Sequence, residues 1–143
     1  MVKEYFSQKS KSKYQNKKFV VDNIKFDSKM EGYVYLKIKE LKEEYGHLFD
    51  YELQPKVELV QEFDLENKKI RAITYTGDFK IINFGFRPIV TKMYIIDVKG
   101  FTTDVFKLKA KMFAWRYKQE IVVVKSVREF EEWFMKTIAF ANH

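Results

Sequence analysis

Cysteine is absent from the 143-residue chain, which excludes disulfides and any thiolate-bound zinc. That agrees with a reducing compartment. Histidine occurs only as His47 and His143, with no local zinc spacing. Proline occurs twice and glycine five times, so long flexible linkers are not expected. No apolar run has the look of a signal or a membrane span, and the expected setting is a soluble, cytoplasmic protein without membrane contact. Acidic residues are the minority, 20 Asp and Glu against 27 Lys and Arg, for a net charge of +7. A basic domain of this size either meets a polyanion or is basic with no such partner.

What is present in quantity is apolar and aromatic. Hydrophobic residues make up 46% and aromatics 17%, ample for one packed core. Residues 1–18, with six lysines and one glutamate, read as a basic arm that touches phosphates or only aids solubility. Residues 19–143 read as a single domain. "FVVDNIKF" predicts a small hairpin, since Asp22 and Asn23 both tolerate the left-handed turn conformation. "DSKMEGYVYLKIKELKEEYG" predicts a helix with an apolar stripe of Met30, Val34, Ile38, Leu41 and Tyr45. Gly46 is its stop, and Gly32 in its first turn admits a close neighbour.

"YELQPKVELVQEF", "IRAITYTGDFKIINF" and "TKMYIIDVKG" read as three strands, with Pro55 demoting part of the first to an edge. "TTDVFKLKAKMFAWRYK" reads as a second helix with an apolar stripe of Val105, Leu108, Met112 and Trp115. Phe106, Phe113 and Tyr117 are also read as core rather than as stacking platforms. "EIVVVKS" is expected to be a buried strand and "REFEEWFMKTIAF" a closing helix. This order predicts an α/β fold, a mixed sheet flanked by helices in α-β-β-β-α-β sequence behind an N-terminal hairpin.

Three pieces carry chemistry. In "MYIIDVKG" alternation sets Ile95, Asp97 and Lys99 on one strand face, so an acid and a lysine project together where a buried strand ends. An acid two places before a lysine occurs five times in the chain, so the tripeptide alone has little weight, and a surface ion pair stays open. In "YTGDF", Asp78 interrupts an apolar strand, and Gly77 marks a bulge or a close backbone approach. If that strand pairs with the next, Asp78 and Asp97 converge. Two half-buried carboxylates repel unless a cation sits between them, and oxygen ligands suit Mg²⁺ or Mn²⁺. In "FDSKMEG", Ser28 and Glu31 form a capping box, which suffices for Glu31. A helix packed on the sheet would also bring Glu31 toward the two aspartates.

The ordered set Glu31, Asp78, Asp97 and Lys99 resembles the PD-(D/E)XK nuclease superfamily. "IKFDSKMEGYVYLKIKELK", "YELQPKVEL", "RAITYTGDF" and "YIIDVKGF" resemble small phage and prophage proteins grouped with endonuclease I-type Holliday junction resolvases. The likeness spans about residues 14–125. Gly77 departs from the superfamily's proline, Asp97 from the commoner glutamate, and "NFGFRPIVTK" lengthens the link between the second and third strands.

The resemblance implies a restriction-endonuclease-like core and a metal-dependent, structure-selective DNA endonuclease acting on four-way junctions as a homodimer. The setting would be a bacterial host cell if the protein is phage-encoded. It implies Mg²⁺, or Mn²⁺ as substitute, held by Asp78, Asp97 and the Val98 carbonyl, with Glu31 at a second metal or steering Lys99. Lys99 would orient or activate the attacking water. Lys107, Lys109, Lys111, Arg116 and Lys118 offer phosphate contacts or a solvated helix face. The arm and hairpin could exchange between protomers. Other readings stay open: a nicking, mismatch or restriction-type nuclease, an inactive nucleic-acid-binding protein, or a basic protein–protein adaptor.

Overall fold

The computed structural model describes residues 18–85 and 91–141. Most of the basic arm and the middle of the lengthened "NFGFRPIVTK" link lie outside the described residues. The protein is a mixed α/β fold with several sheets and three α-helices among the described residues.

Strands β1 (Phe19–Val21) and β2 (Ile24–Phe26) form the expected hairpin. Asp22 and Asn23 both have positive φ, 52° and 64°, as a tight two-residue turn requires. The hairpin packs on helix α1 (Lys29–Tyr45) of its own chain. Ser28 caps α1 by accepting from the Glu31 amide at 3.2 Å, and Gly46 is the C-cap. Gly32 is required by crowding: a β-carbon there would run into the Phe19 ring. Val34, Ile38 and Leu41 are buried, with Met30 and Tyr45 at the rim, so the predicted stripe is the one that packs.

The first two predicted strands each break in two. Strands β3 (Phe49–Leu53) and β4 (Lys56–Val60) are separated at Gln54–Pro55. Gln54 takes a positive φ of 48°, and proline cannot donate to a ladder. After the short hairpin of β5 (Phe63–Leu65) and β6 (Lys68–Ile70), the chain returns as β7 (Ile73–Thr76) and β8 (Phe79–Asn83), separated at Gly77–Asp78. The two breaks face each other. The Gln54 amide donates to the Asp78 carbonyl and the Gly77 amide to the Pro55 carbonyl, both at 2.9 Å. The result is one long antiparallel ribbon bent in the middle, with β3–β8 on one side of the bend and β4–β7 on the other.

Strand β9 (Lys92–Val98) pairs antiparallel with β8. Helix α2 (Asp104–Tyr117) then crosses over to β10 (Val122–Val124), which lies parallel to β9. The four-stranded sheet has the order β10-β9-β8-β3. Helix α3 (Val127–Phe134) closes the chain and runs on as a π-helical turn, Met135–Ala139.

The sheet has a core on each face. Ile96 and Val98 join α1 and α3 in the larger one, built around Phe49, Phe79, Phe130 and Phe134. Ile95 lies on the opposite face with Tyr75, Leu59 and the α2 residues Phe106 and Phe113.

Two expectations fail here. In α2, Phe106 and Phe113 are core as expected, with Ala110 and Met112 packed beside them, but Val105, Leu108 and Trp115 of the predicted stripe are 64%, 61% and 76% exposed. Tyr117 is also exposed, its hydroxyl on the Glu58 carbonyl at 2.6 Å. β10 is not buried on both sides, because it is the sheet edge and Val123 is 37% exposed.

Gly77 supports the bend. A β-carbon there would stand 2.6 Å from Ile95 Cγ2. Gly77→Ala is therefore expected to cost about 1–3 kcal/mol, since overpacking forces the neighbours apart. An unchanged urea midpoint would show that the bend yields freely.

Candidate active site

The site forms where β9 runs out. The β8–β9 register sets Phe79 opposite Ile96, so one step further Asp78 falls opposite Asp97. The Asp78 amide donates to the Ile96 carbonyl at 3.0 Å and continues the ladder past the last paired residues. The Asp78 side chain accepts from the Val98 amide at 2.7 Å. Burial, and after it the nearby Asp97 and Glu31 carboxylates, push the Asp78 carboxyl up to about 8, against the lowering effect of the Val98 amide.

Asp97 is the one buried charged side chain among the described residues, at 3% exposure. Its Oδ1 pairs with Lys99 Nζ at 3.3 Å, and its Oδ2 accepts from the Tyr75 hydroxyl. Lys99 Nζ also sits 4.8 Å from the centre of the Phe106 ring, on the α2 side of the sheet. Burial, then the bond to Asp97, raises the Tyr75 phenol, so Tyr75 stays protonated and acts as a donor.

Glu31 arrives from the first turn of α1. Ser28 Oγ donates to its Oε1 at 3.3 Å, so the capping box is formed. Burial above all raises the Glu31 carboxyl, with Asp27 and the more distant Asp97 adding to it. A cleft of about 500 Å³ brings Glu31 and Lys99 together with Val98, Phe101, Thr103 and Lys125. The two aspartates do not line this cleft. Asp78 is tied to it through the Val98 amide, and Asp97 through Lys99.

The α2 cations divide. Lys107, Lys111 and Lys118 are exposed. Lys109 is bound to the Thr74 carbonyl at 3.0 Å, and Arg116 pairs with Glu58 at 3.1 Å, so both face the ribbon.

Four residues of this site escaped sequence reasoning: Tyr75, Phe101, Thr103 and Lys125. Nothing local marks Tyr75, whose reach to Asp97 depends on the bend at Gly77–Asp78. Thr103 carries a signal, since it precedes a helical pattern as an N-cap and accepts from the Phe106 amide at 3.1 Å. Tyr75→Phe is expected to lower stability at pH 7 by about 1–2 kcal/mol, because buried Asp97 loses a donor. Equal urea midpoints for wild type and variant would mean that Lys99 and solvent satisfy Asp97 unaided.

Among the described residues, no three His, Cys, Asp or Glu side chains gather as a ready metal cage. The donor chemistry nonetheless suits a hard cation. Two carboxylates meet at the end of β9 beside the Val98 peptide unit; burial first, and then the neighbouring acids, raise Asp78, and a cation there would offset both costs of ionising it. Among the described residues no helix is long and apolar enough to cross a membrane.

Residues 11–131 match a family described as "Protein of unknown function (DUF1064)", and the chain belongs to that family. No curated protein and no solved structure matches the chain.

Proposed function

We propose that the protein is a Mg²⁺-dependent structure-selective DNA endonuclease with a restriction-endonuclease-like core, acting on branched DNA such as a four-way junction. One observation carries this reading: Asp78, Asp97 and Lys99 come together at the end of β9, with Glu31 across the adjoining cleft. Support also comes from the run α1, β3, β8, β9, α2 and β10, which follows the order of the nuclease core.

Asp78, Asp97 and the Val98 carbonyl would hold the cation, with Glu31 as a further or water-mediated ligand. When bound, a divalent cation lowers the pKa of a coordinated water and offsets charge on a phosphodiester. The chain's own groups do the remainder. Asp97 fixes Lys99 through the 3.3 Å ion pair, so its ammonium can orient the attacking water and stabilise charge gathering on phosphorus-bound oxygens. Tyr75 holds Asp97 from the other side. The water oxygen bonds to phosphorus, its proton passing to solvent, as the bond to the 3′ oxygen breaks; that oxygen takes a proton from solvent, leaving a 3′-hydroxyl and a 5′-phosphate. Lys107 and Lys111 give sequence-independent phosphate contacts, and Lys125 on the cleft wall is placed to give another. Two symmetric nicks call for two copies, hence a homodimer.

A second reading has one observation in its favour: Asp97 is already satisfied by Tyr75 and Lys99, and no third acid completes a cage. This would be a DNA-binding protein with an idle site. A labelled four-way junction and a matched duplex, each with Mg²⁺ or EDTA, separate the readings. Paired nicks in the junction alone, lost in EDTA, are expected. Cleavage of both DNAs leaves a nuclease with another target. Salt-sensitive binding without cleavage, even in Mn²⁺, overturns the enzyme.

A further inference from the structure

Helix α2 carries two apolar stripes, and the sheet uses one. Phe106, Ala110 and Phe113 pack inward. Val105, Leu108, Met112 and Trp115 follow one another at intervals of three, four and three residues, the spacing of a helix-pairing seam, with Met112 at its border, where it also packs against the inner core. Three of them are 64%, 61% and 76% exposed, and Met112 is half-buried. From these outer faces we infer that α2 is a homotypic docking surface, on which a second copy of the chain packs its own α2 antiparallel about a two-fold axis. This surface stands apart from the nuclease reading, which calls for two copies, and from exchange of the arm and hairpin, since the hairpin packs on α1 of its own chain.

The flanking charges choose the occupant and its direction. Asp104, Lys111 and Lys118 lie along one edge of the seam, and Lys109 and Arg116 along the other. A parallel pair would set Asp104 near Lys109, but it would also set Lys111 against Arg116, twice. An antiparallel pair sets Val105 against Trp115, Leu108 against Met112, and Asp104 against Lys118, each twice by symmetry. Lys118 is held beside the seam, its Nζ 4.9 Å from the Trp115 ring centre. Lys109 and Arg116 are occupied within their own chain by the Thr74 carbonyl and Glu58. Lys111 on one edge and Lys109 on the other each meet their equivalent near the axis; the Lys111 stem carries its charge to water, and Lys109 is drawn aside to the Thr74 carbonyl of its own chain.

The size is sufficient. Side chains of these kinds at these exposures offer roughly 400 Å² of apolar surface per copy. Two copies with their lysine stems then approach the ~1,200 Å² of a small specific interface. The basic arm at residues 1–18 is a poor rival, since its six lysines would face a seam edged by Lys111 and Lys118. Pairing also gathers Lys107 and Lys111 of both copies on one side of the helix pair.

Sedimentation equilibrium of the full chain tests this, with Trp115→Glu, Asp104→Lys, Lys118→Glu and the double variant Asp104→Lys/Lys118→Glu. All three substituted positions are exposed, and circular dichroism confirms the fold of each of the four variants. Wild type is expected to be a dimer. Trp115→Glu should weaken it at least about 100-fold, as loss of a central aromatic anchor does. Each single charge reversal should weaken it several-fold, about the strength of two exposed ion pairs, and the double reversal should restore it. A monomeric wild type overturns the inference. So does a dimer that Trp115→Glu leaves intact, or one that dissociates only when residues 1–18 are removed. Single reversals that weaken the dimer without rescue by the double overturn the antiparallel register.

Discussion

Asp97→Asn and Lys99→Ala are each expected to reduce junction cleavage in Mg²⁺ by at least about 1,000-fold, the scale of losing a charge that acts on the transition state. Both variants should bind the junction with near wild-type affinity, because the contacts proposed to the DNA backbone lie elsewhere, chiefly on α2 and at Lys125. The two effects have different origins. Asp97 is nearly fully buried and anchors both Tyr75 and Lys99, so its amide variant loses charge while keeping shape. Lys99 is about one-third exposed and free at its outer side to meet a phosphate, so its truncation removes the cation alone. Single-turnover cleavage with matched binding assays checks this. Retention of more than a tenth of wild-type activity by either variant would remove that residue from the chemistry.

Asp78→Asn is expected to stabilise the cation-free protein at pH 8 and to change it little near pH 4. The Asp78 carboxyl is raised from 3.8 to about 8 by burial and by its acidic neighbours. Between those values the folded protein binds a proton that the unfolded chain has released. Stability therefore falls as pH rises from about 4 to about 8. An asparagine can still accept from the Val98 amide and carries no charge to bury. The gain at pH 8 should be on the order of 3 kcal/mol, measured by urea unfolding in EDTA across that range. Saturating Mg²⁺ should raise wild-type stability at pH 8 and raise that of the variant less. A wild-type-to-variant gap constant across pH would mean that Asp78 stays ionised in the fold.

Local chemistry was legible in the sequence, and long-range choices were not. The Asp22-Asn23 turn, the Ser28–Glu31 capping box and the α1 stripe each depend on residues within four places of one another, and each is found as read. The order Glu31, Asp78, Asp97 and Lys99 was also readable, because strand alternation sets which side chains share a face. Three residues of the predicted α2 stripe, Val105, Leu108 and Trp115, lie outside for a definite reason, while Met112 packs against the core. Positions 105, 108, 112 and 115 and positions 106, 110 and 113 both have helical spacing, and periodicity cannot say which set meets the sheet. Only the crossover geometry decides, and it turns Phe106 and Phe113 inward. Tyr75 was invisible as a partner of Asp97 because the contact requires the ribbon to bend at two separate breaks. Val123 looked buried because an apolar run does not reveal that its strand ends the sheet.

Everything proposed for the site rests on Asp78 and Asp97 holding a divalent cation, and this is testable without choosing a DNA substrate. Mn²⁺ is titrated into wild type, Asp78→Asn and Asp97→Asn at pH 8, with bound ion followed by electron paramagnetic resonance. Wild type is expected to bind Mn²⁺, and each variant to bind it at least about 10-fold more weakly. Equal binding by all three proteins, or none by wild type, would contradict the assignment.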